Sequence, residues 1–143
     1  MKNILFVCTG NSARSIIAES IINNEYDDMY KGFSAGSNPT GKVNEDVKNY
    51  LFSKHYDLSN YRSKNFNGFI NGQIKMDYVI TVCNNANNEV CPIWPNKDQI
   101  IHWDIEDPVK LLNETNDLNK KDEIIEKVYN NIHNKIKELI NEK

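Results

Sequence analysis

The chain has 143 residues, with 20 acidic side chains against 17 basic ones and a net charge of −3 at neutral pH. That length fits one domain covering residues 1–143, large enough to build a core without disulfide staples. The charge balance excludes the broad electrostatic footprint of a nucleic-acid binder or of a protein drawn to an anionic membrane, so any affinity for anions has to be made locally.

In chain order, Lys2 to Val7 reads as a buried strand, because a short unbroken apolar run ahead of a glycine turn fits a parallel sheet covered on both faces. Ser15 to about Asp28 reads as a helix with Ile17, Ile21 and Ile22 as its inward stripe. Lys31 to Ala35 is a second strand, closed by Gly36 and a turn through Asn38-Pro39-Thr40-Gly41. A helix from Val43 to His55 follows, with Val47, Leu51 and Phe52 on one side. Asp77 to Val82 is the third strand and Gln99 to Trp103 the fourth, with a long polar loop between them. From Asn119 to Asn141 the residues Ile124, Ile125, Val128, Ile132, Ile136, Leu139 and Ile140 recur at helical spacing, which predicts a long amphipathic closing helix. Strands alternating with helices imply an α/β fold, a four-stranded parallel sheet flanked by helices. Ligands of such sheets bind at the carboxyl ends of strands, where Cys8, Cys83 and the segment from Asp104 to Asp107 all emerge.

No apolar stretch approaches the length of a membrane span, and the N-terminus reads straight into a strand rather than a signal peptide. The expectation is a soluble, cytoplasmic monomer. Three cysteines, Cys8, Cys83 and Cys91, are few and odd in number, so they read as reactive or buried thiols and not as structural bridges. No second pair of Cys or His stands at finger spacing, so no metal site is expected, and no cofactor.

The chemistry concentrates at Cys8-Thr9-Gly10-Asn11-Ser12-Ala13-Arg14-Ser15. A strand ends at the thiol and a helix starts near Arg14, which aims unpaired backbone N–H groups and the positive end of the helix dipole at the intervening cup. Such a nest suits a tetrahedral oxyanion, with Thr9 to Ser15 as its walls. The same field favours a thiolate, and Arg14 adds a planar fork that matches two oxygens of one anion. The residue types permit Ser15 to donate to the sulfur and Asn11, which tolerates a left-handed backbone, to hold the loop concave. Asp107 is the candidate acid for the departing oxygen; the plainer alternative is a turn former ahead of Pro108. Cys83 and Cys91 are either redox partners or inert small hydrophobes, while His102 and Trp103 read as packing residues.

These residues, with Ser34-Ala35-Gly36 and Asp107-Pro108, resemble the low-molecular-weight protein tyrosine phosphatase superfamily. Within it, Thr81-Val82-Cys83, the loop to Cys91-Pro92 and His102-Trp103-Asp104 are most similar to the thioredoxin-coupled arsenate reductases. The resemblance implies that Cys8 attacks arsenate, that Arg14 and the loop amides stabilise its oxygens, and that Asp107 donates the proton. It further implies that Cys83 and Cys91 carry the oxidation outward to thioredoxin. The alternative activity is a phosphotyrosine phosphatase acting through a Cys8 phosphocysteine, and a third reading is a non-enzymatic oxyanion or redox sensor. Three positions depart from the pattern. Ala13 stands where relatives often carry a further cysteine, and the segment from Cys83 to Cys91 is slightly longer. Lys64 stands where some reductases have an acidic residue that joins the counterparts of Asn11, Glu19 and Ser34 in a potassium site.

Overall fold

The computed structural model describes residues 1–58, 61–70, 74–83 and 100–141. Four strands form one sheet: β1 (Lys2–Cys8), β2 (Tyr30–Gly36), β3 (Tyr78–Cys83) and β4 (Ile100–Asp104), in the order β2-β1-β3-β4. Every neighbouring pair is parallel, with Cys8 opposite Gly36 and Cys83 opposite Asp104, so all four carboxyl ends lie along one edge. The chain steps from β1 to β2 on one side and later crosses to β3 on the other. The strand order therefore reverses at β1, and a crevice opens above its carboxyl end.

The central strands follow directly from composition. Ile4, Leu5, Phe6 and Val7 are all essentially inaccessible, as expected of a strand covered on both faces. Ile4, Phe6 and Cys8 face one core together with Ile80, Val82 and Trp103. Leu5 and Val7 face a smaller one with Ala35, Met76 and Val79, against which Phe66 and Phe69 pack. Trp103 lies 5.9 Å from the Phe6 ring, and His102 meets Thr81 Oγ1 at 2.8 Å, so both act as strand packing.

Helix α1 (Arg14–Glu25) is shorter than the predicted span to Asp28, because the Tyr26 N–H still bonds to Ile22 O while Met29 and Tyr30 fold back onto Tyr26 O. Its stripe is also wider than expected. Everything from Arg14 to Ile22 is buried, since α1 is enclosed by the sheet and by the closing helix. The far end is held by Glu25, which accepts hydrogen bonds from Tyr56, Tyr129 and His133. Burial pushes the Glu25 carboxyl up, but those three donors outweigh it and hold it below its ordinary value.

Helix α2 (Glu45–Ser53) starts where the Asn44 side chain accepts from the N–H groups of Asp46 and Val47. Val47 and Leu51 point inward as predicted, whereas Phe52 is 48% exposed beneath Lys48 and Tyr50 takes the buried position. Two short helices, α3 (Asn67–Ile70) and α4 (Val109–Asn113), are too brief to leave a periodic signal in the sequence. The closing helix α5 (Leu118–Asn141) buries Ile125, Val128, Ile132, Ile136 and Leu139 as predicted, and Tyr129 besides; Ile124 and Ile140 sit at the edge of the stripe. Among the described residues no helix is long and apolar enough to cross a membrane.

Candidate active site

At the end of β1 the chain turns through residues 9–13 and enters α1 at Arg14. The preceding residue, Ala13, makes no side-chain cap to the first turn of α1. Asn11 adopts φ +48°, the left-handed region that asparagine tolerates better than most residues. That one residue turns the loop into a cup.

The cup is held from outside. Four of its carbonyls are tied by backbone N–H groups of the segment that follows β2: Ser37 to Cys8 O at 3.1 Å, Asn38 to Thr9 O at 2.9 Å, Thr40 to Gly10 O at 3.1 Å and Asn44 to Ser12 O at 2.9 Å. In a trans peptide the C=O and the following N–H point in opposite directions, so drawing the carbonyls outward turns amides inward. The Asn11 N–H then points at Cys8 Sγ, 3.1 Å away. The Ser15 hydroxyl stands 2.9 Å from the same sulfur and accepts from Asn11 Nδ2 at 2.7 Å. With the sulfur ionised, Ser15 is the partner that can donate. Cys8, a free thiol, is therefore only 2% exposed, yet it faces oriented donors.

Arg14 is buried at the rim, with Nη1 donating to Ile105 O at 3.0 Å and Nη2 lying 3.8 Å from Asp107 Oδ2. Asp107 is about half exposed, and its other carboxylate oxygen accepts from Val109 N, so the side chain that faces the cleft also shapes the turn into α4. Cys8, Thr9, Gly10, Asn11, Ser12, Ala13, Arg14 and Asp107 all line one cleft of about 270 Å³, joined by Asn38, Thr40 and Val109. A slightly larger hollow between Lys42, Val43, Phe52 and Tyr61 contains no cysteine. Chemistry, not size, marks the site.

Cys83 does not line the cleft. Cys83 ends β3, fully buried and disulfide-bonded, with its carbonyl accepting from Ile105 N at 3.2 Å. Cys91 and the loop leading to it lie outside the described residues.

Beneath the loop, Lys64 N donates to Asn11 Oδ1 at 2.8 Å, while Lys64 Nζ reaches Arg62 O at 3.0 Å and Ser34 Oγ at 3.5 Å. Ser34 in turn donates to Glu19 Oε1 at 2.6 Å. Burial raises the Glu19 carboxyl and lowers the Lys64 ammonium, while each charge partly restores the other. These residues do not suit a potassium ion, because an ammonium already stands among the oxygens that would bind one. Sequence reading found Glu19, Ser34 and Lys64 only through resemblance. It missed Ser63 and the role of residues 37–44, which look like an ordinary polar turn.

The sequence profile described as low molecular weight phosphotyrosine protein phosphatase matches residues 3–142. The chain belongs to that family. Among its relatives is the arsenate reductase of Staphylococcus xylosus, 36% identical over 107 residues that cover 75% of this chain and 79% of the relative. A solved thioredoxin-dependent arsenate reductase from Corynebacterium glutamicum is 25% identical with a TM-score of 0.65, spanning 100% of this chain and 64% of its own. An arsenate reductase in the phosphate binding state superposes with a TM-score of 0.76 over 99% and 98% of the two chains; at 22% identity it speaks for the fold alone. Members of the phosphatase family thus share with this chain the four-stranded parallel sheet that carries the cleft.

Two outcomes follow from the geometry. A Cβ added at Gly36 would lie 2.5 Å from Thr9 O and 3.1 Å from Asn11 N, so Gly36→Ala should displace the loop and abolish phosphate binding measured by calorimetry; parent-like affinity would contradict the packing. Glu19 is buried with its carboxyl raised, and a carboxyl whose folded value is raised favours folding below the unfolded value, a contribution lost as pH rises. Lys64→Met, which leaves Glu19 uncompensated, should therefore lose stability relative to the parent as pH climbs from about 5 to about 8. A urea-denaturation difference that is flat across that range would show that the two charges do not communicate.

Proposed function

We propose that this protein reduces arsenate to arsenite by a relay of three cysteines, with a thioredoxin-type dithiol protein as reductant, in a reducing cytoplasmic compartment. The single observation that carries the reading is the Cys8 sulfur, set beneath inward-facing amides and beside Arg14, in a chain whose relatives are named arsenate reductases. Cys8 as thiolate attacks arsenic, the loop amides and Arg14 stabilise the charged oxygens, and Asp107 protonates the oxygen that leaves as water.

Phosphate chemistry would stop at hydrolysis of the adduct, but arsenic has to gain two electrons. Cys83 supplies them by attacking the Cys8 sulfur: the sulfur–arsenic bond breaks, its electron pair stays on arsenic, and arsenite departs as the Cys8–Cys83 disulfide forms. Cys91 then displaces Cys8 from Cys83, and an external dithiol reduces the resulting Cys83–Cys91 bond.

The strand geometry adds a requirement. Val79 belongs to the core opposite the one that holds Ile80, Val82 and Cys8, so alternation places Cys83 on the far face from the nucleophile. The carboxyl end of β3 must therefore leave its strand position for Cys83 to reach Cys8. Its hydrogen bond from Ile105 N is one that this movement breaks.

Fully reduced protein incubated with arsenate and no external reductant should lose two thiols for each arsenite formed. Cys83→Ser should form no arsenite while retaining any hydrolysis of p-nitrophenyl phosphate. Unchanged thiols together with rapid aryl phosphate hydrolysis would instead identify a phosphatase using Cys8, Arg14 and Asp107.

A further inference from the structure

We propose that Ser63 is a positioning residue of the anion loop, setting through the Gly10 carbonyl the direction of the Asn11 N–H that meets the Cys8 sulfur. The inference rests on the reading of this loop as the cradle for substrate. Gly10 O and Asn11 N belong to one peptide unit, and no peptide bond among the described residues is cis. At one end of that unit the carbonyl accepts from Thr40 N at 3.1 Å and from Ser63 Oγ at 3.0 Å; at the other the N–H reaches Cys8 Sγ at 3.1 Å. The two ends cannot turn independently.

This peptide has a real alternative. Asn11 is held at φ +48°, a conformation costing an L-residue roughly 1 kcal/mol, and the glycine before it places no Cβ in the way of rotation. Turning the unit over would relieve Asn11 and bring the Gly10 carbonyl toward the sulfur. A thiolate would then face an acceptor where it now has a donor. The two hydrogen bonds on Gly10 O select the productive orientation.

Ser63 is built for this. It is buried, its hydroxyl hydrogen goes to Gly10 O, and a lone pair accepts the Gly41 N–H at 3.1 Å. The next residue, Lys64, uses its own N–H to hold Asn11 Oδ1. A single dipeptide thereby fixes both the peptide before Asn11 and the Asn11 side chain. A lone serine in a loop gives no sequence signal of such a role.

The test compares the parent with Ser63→Ala, Ser63→Cys and Ser63→Thr. The readouts are the rate at which iodoacetamide alkylates Cys8 at pH 7, followed by mass spectrometry of the Cys8 peptide, and the protection of Cys8 by inorganic phosphate. Removing one net hydrogen bond corresponds to about a threefold or greater loss, so Ser63→Ala should slow alkylation and weaken phosphate protection by about that factor. Ser63→Cys, a weaker donor of similar size, should fall between, and Ser63→Thr should restore both readouts. Parent-like alkylation and protection in the alanine variant, with only a lowered melting temperature, would make Ser63 merely structural and overturn the proposal. Should the alanine variant not fold, parent-like behaviour of Ser63→Cys overturns it in the same way. Failure of phosphate to protect Cys8 in the parent itself would instead count against the anion loop.

Discussion

The site depends on the direction in which a handful of peptide units face. A loop of five residues between a strand and a helix has as many carbonyls as amides, and left alone it would offer an anion both. Here the backbone N–H groups of Asn38, Thr40 and Asn44 take up carbonyls of the loop from outside, and that of Ser37 takes up the Cys8 carbonyl just before it. The amides are left facing inward. The left-handed Asn11 and the missing side chain of Gly36 are local conditions for that arrangement, since an ordinary residue at position 36 would collide with Thr9 O. Selecting direction in the folded state means that an incoming oxyanion meets dipoles already oriented.

The sheet explains why these parts come together. The strand order reverses at β1, so the loop after it projects into the crevice between two diverging connections, and parallel pairing brings Gly36, Cys83 and Asp104 to the same edge. Helix α1 ties this edge to the rest of the molecule: Arg14 begins it inside the cleft, and Glu25 ends it in a cluster with Tyr56, Tyr129 and His133. Burying charges near the cleft is costly, and the partners limit that cost. Arg14 has the Ile105 carbonyl and Asp107, while Glu19 has Ser34 with Lys64 beyond it.

Much of this was legible in the chain. The unbroken run Ile4-Leu5-Phe6-Val7 identifies a strand buried on both faces, the spacing from Ile125 to Leu139 identifies the closing helix, and the cysteine, glycine and arginine between strand and helix identify an anion cup. What escaped had no periodicity or had contacts far away in sequence. Helices of four and five residues leave no pattern, and Phe52 looked apolar enough for the core, although Tyr50 takes that place. The outer strap and Ser63 act through backbone groups or one hydroxyl, and Ser63 reaches Gly10 across 53 positions. Residue types alone do not encode such contacts.

The most direct measurement is a phosphate titration of the reduced, isotopically labelled protein followed by NMR. The amide resonances of residues 10–15 and the side-chain Nε–H of Arg14 should shift together along one saturable binding curve, with the Ser37, Asn38 and Thr40 amides remaining bonded to the loop. A titration that leaves residues 10–15 unmoved, or that saturates at some other surface, would contradict the account.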